Sequence, residues 1–301
     1  MSTHPPADVA DANASTVLAF KTYNFDFVTP FLQQFSLYYS KAKSFIYDAV
    51  ILRMTEKWYR AVLNKLNDGS ILLDVGIGTG GGSRRSVCFN TMLFLTTLTN
   101  LFLSNLFIST LIGALLRCID LIELKNLKVI GIDIDSAYVE AGKRSVQNAG
   151  LSERVSIDKV NVYEGRATLV ELAKKMGASV DSDGKFVDAV YFSGSFSLLP
   201  DPVKALQLVS ALVKPKGNDD TENGEKGSIF ITQTYQRRTP FFLPYVKPLM
   251  KYATTIDFGN LIREEDVLQT FKESGLEVVE HNVIPGSVDN SLQAAYLTML
   301  R

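Results

Sequence analysis

A cluster of glycines follows a short apolar run and could form a ligand-binding turn. The segment reads Asp74-Val75-Gly76-Ile77-Gly78-Thr79-Gly80. Glycines let a ligand approach the backbone closely, and they adopt the φ angles that a tight turn requires. The spacing fits two ligand classes, because Gly76, Gly78 and Gly80 match G-x-G-x-G while Gly76, Gly78 and Gly81 match G-x-G-x-x-G. The loop alone does not decide between them, and such a turn also occurs without any ligand.

Polar residues at the ends of two further predicted strands extend this interpretation. Asp133 ends the run Gly131-Ile132-Asp133, where an acid can accept hydrogen bonds from both hydroxyls of a ribose. Asn161 follows the next predicted strand, and Asp74 lies two residues before the first glycine. Together with the glycine loop, these residues predict a site for a nucleoside-containing ligand. Asp135 is placed to cap the following helix.

The elements that must position these residues alternate between strand and helix. Predicted strands cover residues 70–75, 128–134, 155–160, 187–192 and 228–232, and predicted helices cover 136–149, 202–213 and 264–274. The last two predicted strands, 276–283 and 292–300, form a hairpin. This order predicts an α/β fold: a Rossmann-like, seven-stranded, mostly parallel sheet with a C-terminal antiparallel hairpin and helices on both faces.

Composition limits the classes of partner. The 301 residues are 46% hydrophobic and carry a net charge of -1, so no basic excess favours nucleic acid. With Cys88 and Cys118 as the two cysteines, we expect no disulfide framework and no metal site, and a cytoplasmic setting is the default. We divide the chain into a disordered tail (1–15), N-terminal helices that form a lid (16–69) and a ligand-binding domain (70–301).

These motifs resemble those of the class I S-adenosylmethionine (SAM) dependent methyltransferases. The resemblance runs from about residue 70 to residue 300 and is broken between about 82 and 113. The segments that carry it are DVGIGTG, VIGIDID, VNVYEG and DAVYFSGSFSLLPDP, which look like the first to fourth motifs of the family. The polar residue after the third strand and the closing hairpin favour this family over dinucleotide-dependent oxidoreductases, which remain the alternative because of the G-x-G-x-x-G spacing.

The resemblance implies SAM as the cofactor and assigns the methionine end of its site. Asp74 would orient the ammonium group, and the backbone of Gly76 and Gly78 would lie against the methionine part, in a loop that also contains Gly80. Ser193, at the tip of the fourth strand, would face the methyl donor.

The nucleoside end of the implied site comes from the next two strands. Asp133 would bind the ribose, Ile134 would pack on the adenine and Asn161 would meet the adenine amino group. The family often has Asp at the last position, but either side chain can accept a hydrogen bond from an amino group.

An apolar stretch interrupts the domain after the glycine loop. Gly80 and Asp133 are 53 residues apart, compared with roughly 20 in related folds, and Met92 to Leu116 is long enough to cross a bilayer. Three interpretations stay open: a membrane segment through 92–116, a hairpin packed within the domain, or residues 82–113 foreign to the ancestral domain, as a retained intron would give. Because the insertion follows the binding loop, an impaired or membrane-associated relative is an alternative function.

The acceptor side of the site is less defined. Aromatic residues before the first strand and after the fifth predict a small, apolar or planar acceptor. Tyr47 and Asp48 are candidates for orienting an acceptor proton. The two histidines, His4 and His281, are not assigned as bases, because one lies in the tail and the other on a closing strand.

Overall fold

The structure, a computed structural model, describes residues 53–76, 110–215, 227–238 and 263–301. Its helices are α1 Arg53–Leu63, α2 Thr110–Leu116, α3 Ile119–Leu124, α4 Ser136–Asn148, α5 Arg166–Lys175, α6 Pro202–Ser210 and α7 Glu264–Glu273, with a 3-10 turn at Phe196–Leu198. Its strands are β1 Ile71–Val75, β2 Lys128–Asp133, β3 Val155–Lys159, β4 Ala189–Ser193, β5 Ser228–Gln236, β6 Val278–Val283 and β7 Gln293–Leu300.

The strands form one seven-stranded sheet in the order β3-β2-β1-β4-β5-β7-β6. The first five strands in this order run parallel, and β7 pairs antiparallel with both β5 and β6. The predicted fold class is therefore confirmed, including the antiparallel hairpin at the C-terminal end. The order reverses at β1, because β2 lies on one side of it and β4 on the other. In parallel sheets this reversal opens a crevice at the carboxyl ends of the strands.

Helices cover both faces of the sheet, so its central strands are apolar on both sides. Every residue of β1 and of β4 is buried. One core lies beneath α1 to α4 and contains Leu72, Tyr191 and Phe230, whereas the opposite core lies beneath α5 to α7 and contains Leu73 and Phe192. Burial on both faces explains the continuous apolar runs that marked these strands in the sequence.

Local signals fixed several element ends. Asp135 caps α4, since its side chain accepts a hydrogen bond from the amide of Ala137 at 2.8 Å, and Gly150 ends that helix with φ at +71°. Helix α5 was not among the helices predicted from the sequence. Its buried side is narrow, formed by Leu169, Leu172 and Ala173, which gives a weak periodic signal.

The chain re-enters the described part of the fold at α2, which is the last part of the apolar stretch 92–116. Ala114, Leu115, Cys118 and Ile122 are fully buried beneath α1, so residues from 114 onward belong to the domain core. Residues 77–109, with most of the predicted insertion, lie outside the described residues. Within the four described ranges, no helix is long and apolar enough to cross a membrane.

Candidate functional site

The predicted site residues of β1, β2 and β4 lie at the carboxyl ends of neighbouring strands. Asp74 pairs in register with Gly131 of β2 and with Tyr191 of β4. Asp133 and Ser193 are the last residues of β2 and β4. These side chains therefore lie around the crevice where the strand order reverses.

Asp74 is the most unusual of these residues. Its side chain is fully buried, and its Oδ2 accepts a hydrogen bond of 2.6 Å from the hydroxyl of Tyr59 on α1. Its Oδ1 is buried and has no hydrogen-bond partner among the residues that the structure describes. Burial raises the pKa of Asp74 to about 7, the bond from Tyr59 opposes this rise, and the nearby charge of Asp133 adds to it. The carboxyl group thus has one acceptor oxygen that the described part of the chain leaves unused.

The turn after β1 starts with a glycine that the backbone conformation requires. Gly76 has φ at +77°, in the left-handed region that a side chain disfavours, and its amide donates to the carbonyl of Ile132 at 2.8 Å. Ser195 closes the neighbouring side, since its hydroxyl donates to the carbonyl of Val75 at 2.6 Å. The end of β1 is therefore tied to both adjacent strands. Gly78 and Gly80 lie outside the described residues.

The end of β2 presents a polar and an apolar surface side by side. The Asp133 carboxylate is buried, and its Oδ1 accepts from the amide of Asp135 at 2.9 Å, which fixes its orientation. The next residue, Ile134, is 63% exposed although it is a large hydrophobic residue. An apolar side chain in water beside an oriented carboxylate is a suitable surface for a ring that carries a sugar.

Asn161 lies at the same edge of the sheet, two residues after β3. The ladder between β2 and β3 continues to this point, because the amide of Val160 donates to the carbonyl of Asp133 at 3.0 Å. The Asn161 side chain accepts from the amide of Tyr163 at 3.1 Å. An amide oxygen has two lone pairs, so one acceptor position remains for a ligand.

The number of strands and their directions match the mostly parallel sheet with a closing hairpin that the sequence predicted. This is the Rossmann-like architecture that the resemblance to the class I SAM-dependent methyltransferases implied.

Comparisons with known proteins give distant matches of structure alone. No protein-family model matches the chain, and no curated protein matches it in sequence. A methyltransferase of Aquifex aeolicus, described as SAM dependent, matches with a TM-score of 0.46 and 13% identity over 88% of this chain and 98% of its own. A protein described as a sarcosine dimethylglycine methyltransferase from Galdieria sulphuraria matches with a TM-score of 0.47 and 12% identity over 82% and 84%. The cyclase SpnF matches with a TM-score of 0.48 and 13% identity over 82% and 80%.

The sheet and α1 enclose a polar cluster that the sequence did not indicate. Tyr59 and Tyr191 are fully buried and pack edge to face, with ring centroids 5.0 Å apart. The Tyr191 hydroxyl forms a hydrogen bond of 2.8 Å with Thr232 on β5. Ser193 lies next to both tyrosines, although its hydroxyl makes no hydrogen bond of normal geometry. The available signal was the tyrosine within the buried run VYF, since a buried phenol needs a polar partner.

The acceptor-side candidates and the two histidines are considered separately from this cluster. Tyr47, Asp48 and His4 lie outside the described residues. His281 lies on β6, where its Nδ1 is 2.8 Å from the Thr298 hydroxyl and its Nε2 is 3.2 Å from a carboxylate oxygen of Glu264. Both ring nitrogens have partners, as expected for a histidine with a structural role.

Proposed function

We propose that this chain is a SAM-dependent methyltransferase whose acceptor is a small, apolar or planar molecule. The observation that supports this most strongly is Asp74, a buried carboxyl group with an unused oxygen at the switch point of the sheet. A buried acceptor without a partner costs about 1–3 kcal/mol, and more when it is charged. A ligand that donates a hydrogen bond to the unused oxygen removes this cost on binding. An ammonium group suits a carboxylate well, because their hydrogen bond is assisted by opposite charges.

The other polar residues fit the rest of SAM in the order that the strands give. In this proposal Asp133 accepts hydrogen bonds from the ribose hydroxyls, Ile134 packs on the adenine, and Asn161 accepts from the adenine amino group. The backbone of the turn from Gly76 to Gly80 lies along the methionine part. Ser193 faces the methyl donor from the end of β4.

SAM supplies a methyl group on a sulfonium, which leaves by in-line displacement without a nucleophile from the protein. The task of this chain is therefore to align donor and acceptor and to exclude water from them. The buried ends of β1 and β4 provide a rigid, water-free floor. Tyr47 and Asp48 remain our candidates for orienting the acceptor.

A dinucleotide is the weaker candidate on electrostatic grounds. In dinucleotide sites the turn after the first strand holds an anionic pyrophosphate, which backbone amides and a helix N-terminus stabilise. Here the end of the first strand, directly before that turn, has the buried carboxyl group of Asp74. An acidic environment suits a cationic ligand and repels a pyrophosphate.

Calorimetric titration of the full chain with S-adenosylhomocysteine and, separately, with NAD tests this proposal. We expect binding of S-adenosylhomocysteine and no heat with NAD. Binding of NAD alone would overturn the proposal. A labelled-methyl transfer screen against metabolite extracts would then identify the acceptor class, for which we expect small apolar or planar products.

A further inference from the structure

Tyr59 connects a helix outside the sheet to the proposed cofactor site. It lies on α1 and is fully buried, and its hydroxyl donates a hydrogen bond of 2.6 Å to Asp74 Oδ2. Burial raises the pKa of Tyr59 well above its usual value, and the Asp74 charge adds to this rise, so the phenol stays protonated and acts as the donor. One carboxylate oxygen is therefore occupied by α1, and the other is left for a ligand.

Contacts on two sides fix α1 and hence the position of the Tyr59 hydroxyl. The indole of Trp58 donates to the Ser287 hydroxyl at 2.9 Å. On the other side Arg60 forms a 2.9 Å ion pair with Asp120 on α3 and donates to the carbonyl of Arg117, also at 2.9 Å. These contacts restrict rotation of the helix about its axis, so the hydroxyl is held on one oxygen of Asp74.

The groups that surround Asp74 explain why the hydrogen bond from Tyr59 affects its ionisation. Among the described residues, Asp133 faces Asp74 from β2, Tyr59 from α1 and Tyr191 from β4, and Ser193 lies beside the two tyrosines. None of these four groups is positively charged. Burial and the Asp133 charge both oppose ionisation of Asp74, and the Tyr59 hydrogen bond favours it.

We propose that Tyr59 is a positioning residue for ammonium recognition: it holds Asp74 as an ionised acceptor and leaves Oδ1 free for the ammonium group of the cofactor. This inference rests on the proposed function. It implies that packing of α1 against the sheet and cofactor binding are thermodynamically coupled, because the Tyr59 hydroxyl contacts Asp74 and Asp74 contacts the cofactor. Tyr59 would not touch the cofactor itself.

The test is the pH dependence of S-adenosylhomocysteine binding to the full chain, measured by calorimetry from pH 6 to pH 9. The variant is Tyr59→Phe, which removes the hydroxyl and keeps the ring. The matched control is Tyr191→Phe, which removes a buried hydroxyl from the same cluster that is hydrogen-bonded to Thr232 and not to Asp74. Thermal unfolding of both variants checks that they fold. Tyr59→Met serves as a second variant that lacks the hydroxyl and keeps much of the bulk.

We expect Tyr59→Phe to weaken binding about fivefold at pH 7, because loss of the hydrogen bond lowers the ionised fraction of Asp74. At pH 9 Asp74 is ionised in both proteins, so the affinity of the variant should lie within about twofold of that of the wild type. Tyr191→Phe should keep a constant ratio to the wild type across the range. A Tyr59→Phe ratio that does not change with pH would overturn the positioning role and leave the proposed function intact. If the wild type binds no S-adenosylhomocysteine at any pH, the proposed function itself fails.

Discussion

Two titratable groups in this sheet, one fully buried and one half-buried, have opposite surroundings. Asp74, at the centre, has one oxygen hydrogen-bonded to Tyr59, and within the described ranges the other oxygen has no partner. His281, near the edge, has Thr298 on one nitrogen and Glu264 on the other, and its ring stacks 4.5 Å from that of Tyr296. The pKa of Asp74 is raised to about 7, whereas burial lowers the pKa of His281 despite the opposing effect of Glu264.

The difference between these two groups separates a structural role from a binding role. A buried polar group that the protein satisfies completely stabilises the fold and has no remaining capacity for a ligand. A buried acid with an unused oxygen destabilises the fold in its ionised form unless a cation binds to it. We therefore assign binding to the Asp74 region and architecture to the His281 region.

The largest expected effect is on the pH dependence of stability. Asp74 has a higher pKa in the folded chain than in the unfolded chain, so its stabilising contribution is full at acid pH and is lost as the pH rises toward and through 7. Asp74→Asn does not titrate. Relative to the wild type, this variant should gain about 4 kcal/mol of unfolding free energy between pH 4 and pH 8. Urea unfolding at several pH values measures this, and parallel curves for the two proteins would contradict it.

The second prediction concerns His281. His281→Leu should lower the unfolding free energy by about 2 kcal/mol at pH 8, because it removes two hydrogen bonds and a stacked ring. Its effect on S-adenosylhomocysteine affinity should stay within about twofold. The wild-type contribution should be present above the usual pKa of histidine and be lost as the pH falls through the lowered pKa. A large loss of affinity would break the distinction between the two regions.

Asp133 provides a smaller test at the nucleoside end of the proposed site. Asp133→Asn retains an oxygen that can accept from the amide of Asp135 but loses the negative charge. We expect binding of S-adenosylhomocysteine to weaken about tenfold, which corresponds to about 1.4 kcal/mol. Calorimetry at pH 8 measures this change, and an unchanged affinity would remove Asp133 from the ribose site.

The smallest effect is predicted for Ile134, which is 63% exposed and has little part in the core. Ile134→Ala should leave the unfolding free energy within about 0.5 kcal/mol of the wild type. Affinity for S-adenosylhomocysteine should fall about threefold, because the adenine loses apolar contact area. A loss of stability without a loss of affinity would show a structural role instead.

Much of the fold was predictable from local patterns. Burial on both faces makes β1 and β4 continuous apolar runs, and Asp135 and Gly150 mark the two ends of α4 by side-chain and backbone chemistry. Parallel strands bring their carboxyl ends to one edge, so the proximity of Asp74 and Asp133 follows from topology. The roles assigned to these acids remain predictions.

The partners of these residues were not predictable in the same way. Tyr59 reaches Asp74 only because a particular side of α1 packs on the sheet. The hydrophobic periodicity of a helix predicts which side is buried, but not which strand that side contacts. Strand β5 extends to Gln236, beyond the predicted end at 232, because β7 pairs with it along its full length. Long-range pairing of this kind leaves no local signal in the sequence.

The most direct test of the central claim compares how one substitution changes the affinity for two ligands. S-adenosylhomocysteine carries the ammonium group that we assign to Asp74, whereas 5′-methylthioadenosine has the same nucleoside and sulfur but no amino acid part. At pH 8, Asp74→Asn should weaken binding of S-adenosylhomocysteine about 100-fold, which corresponds to about 3 kcal/mol, the contribution expected of a charged hydrogen bond. The same substitution should leave binding of 5′-methylthioadenosine unchanged. Equal losses for both ligands, or no loss for either, would contradict the assignment of Asp74 to the ammonium group.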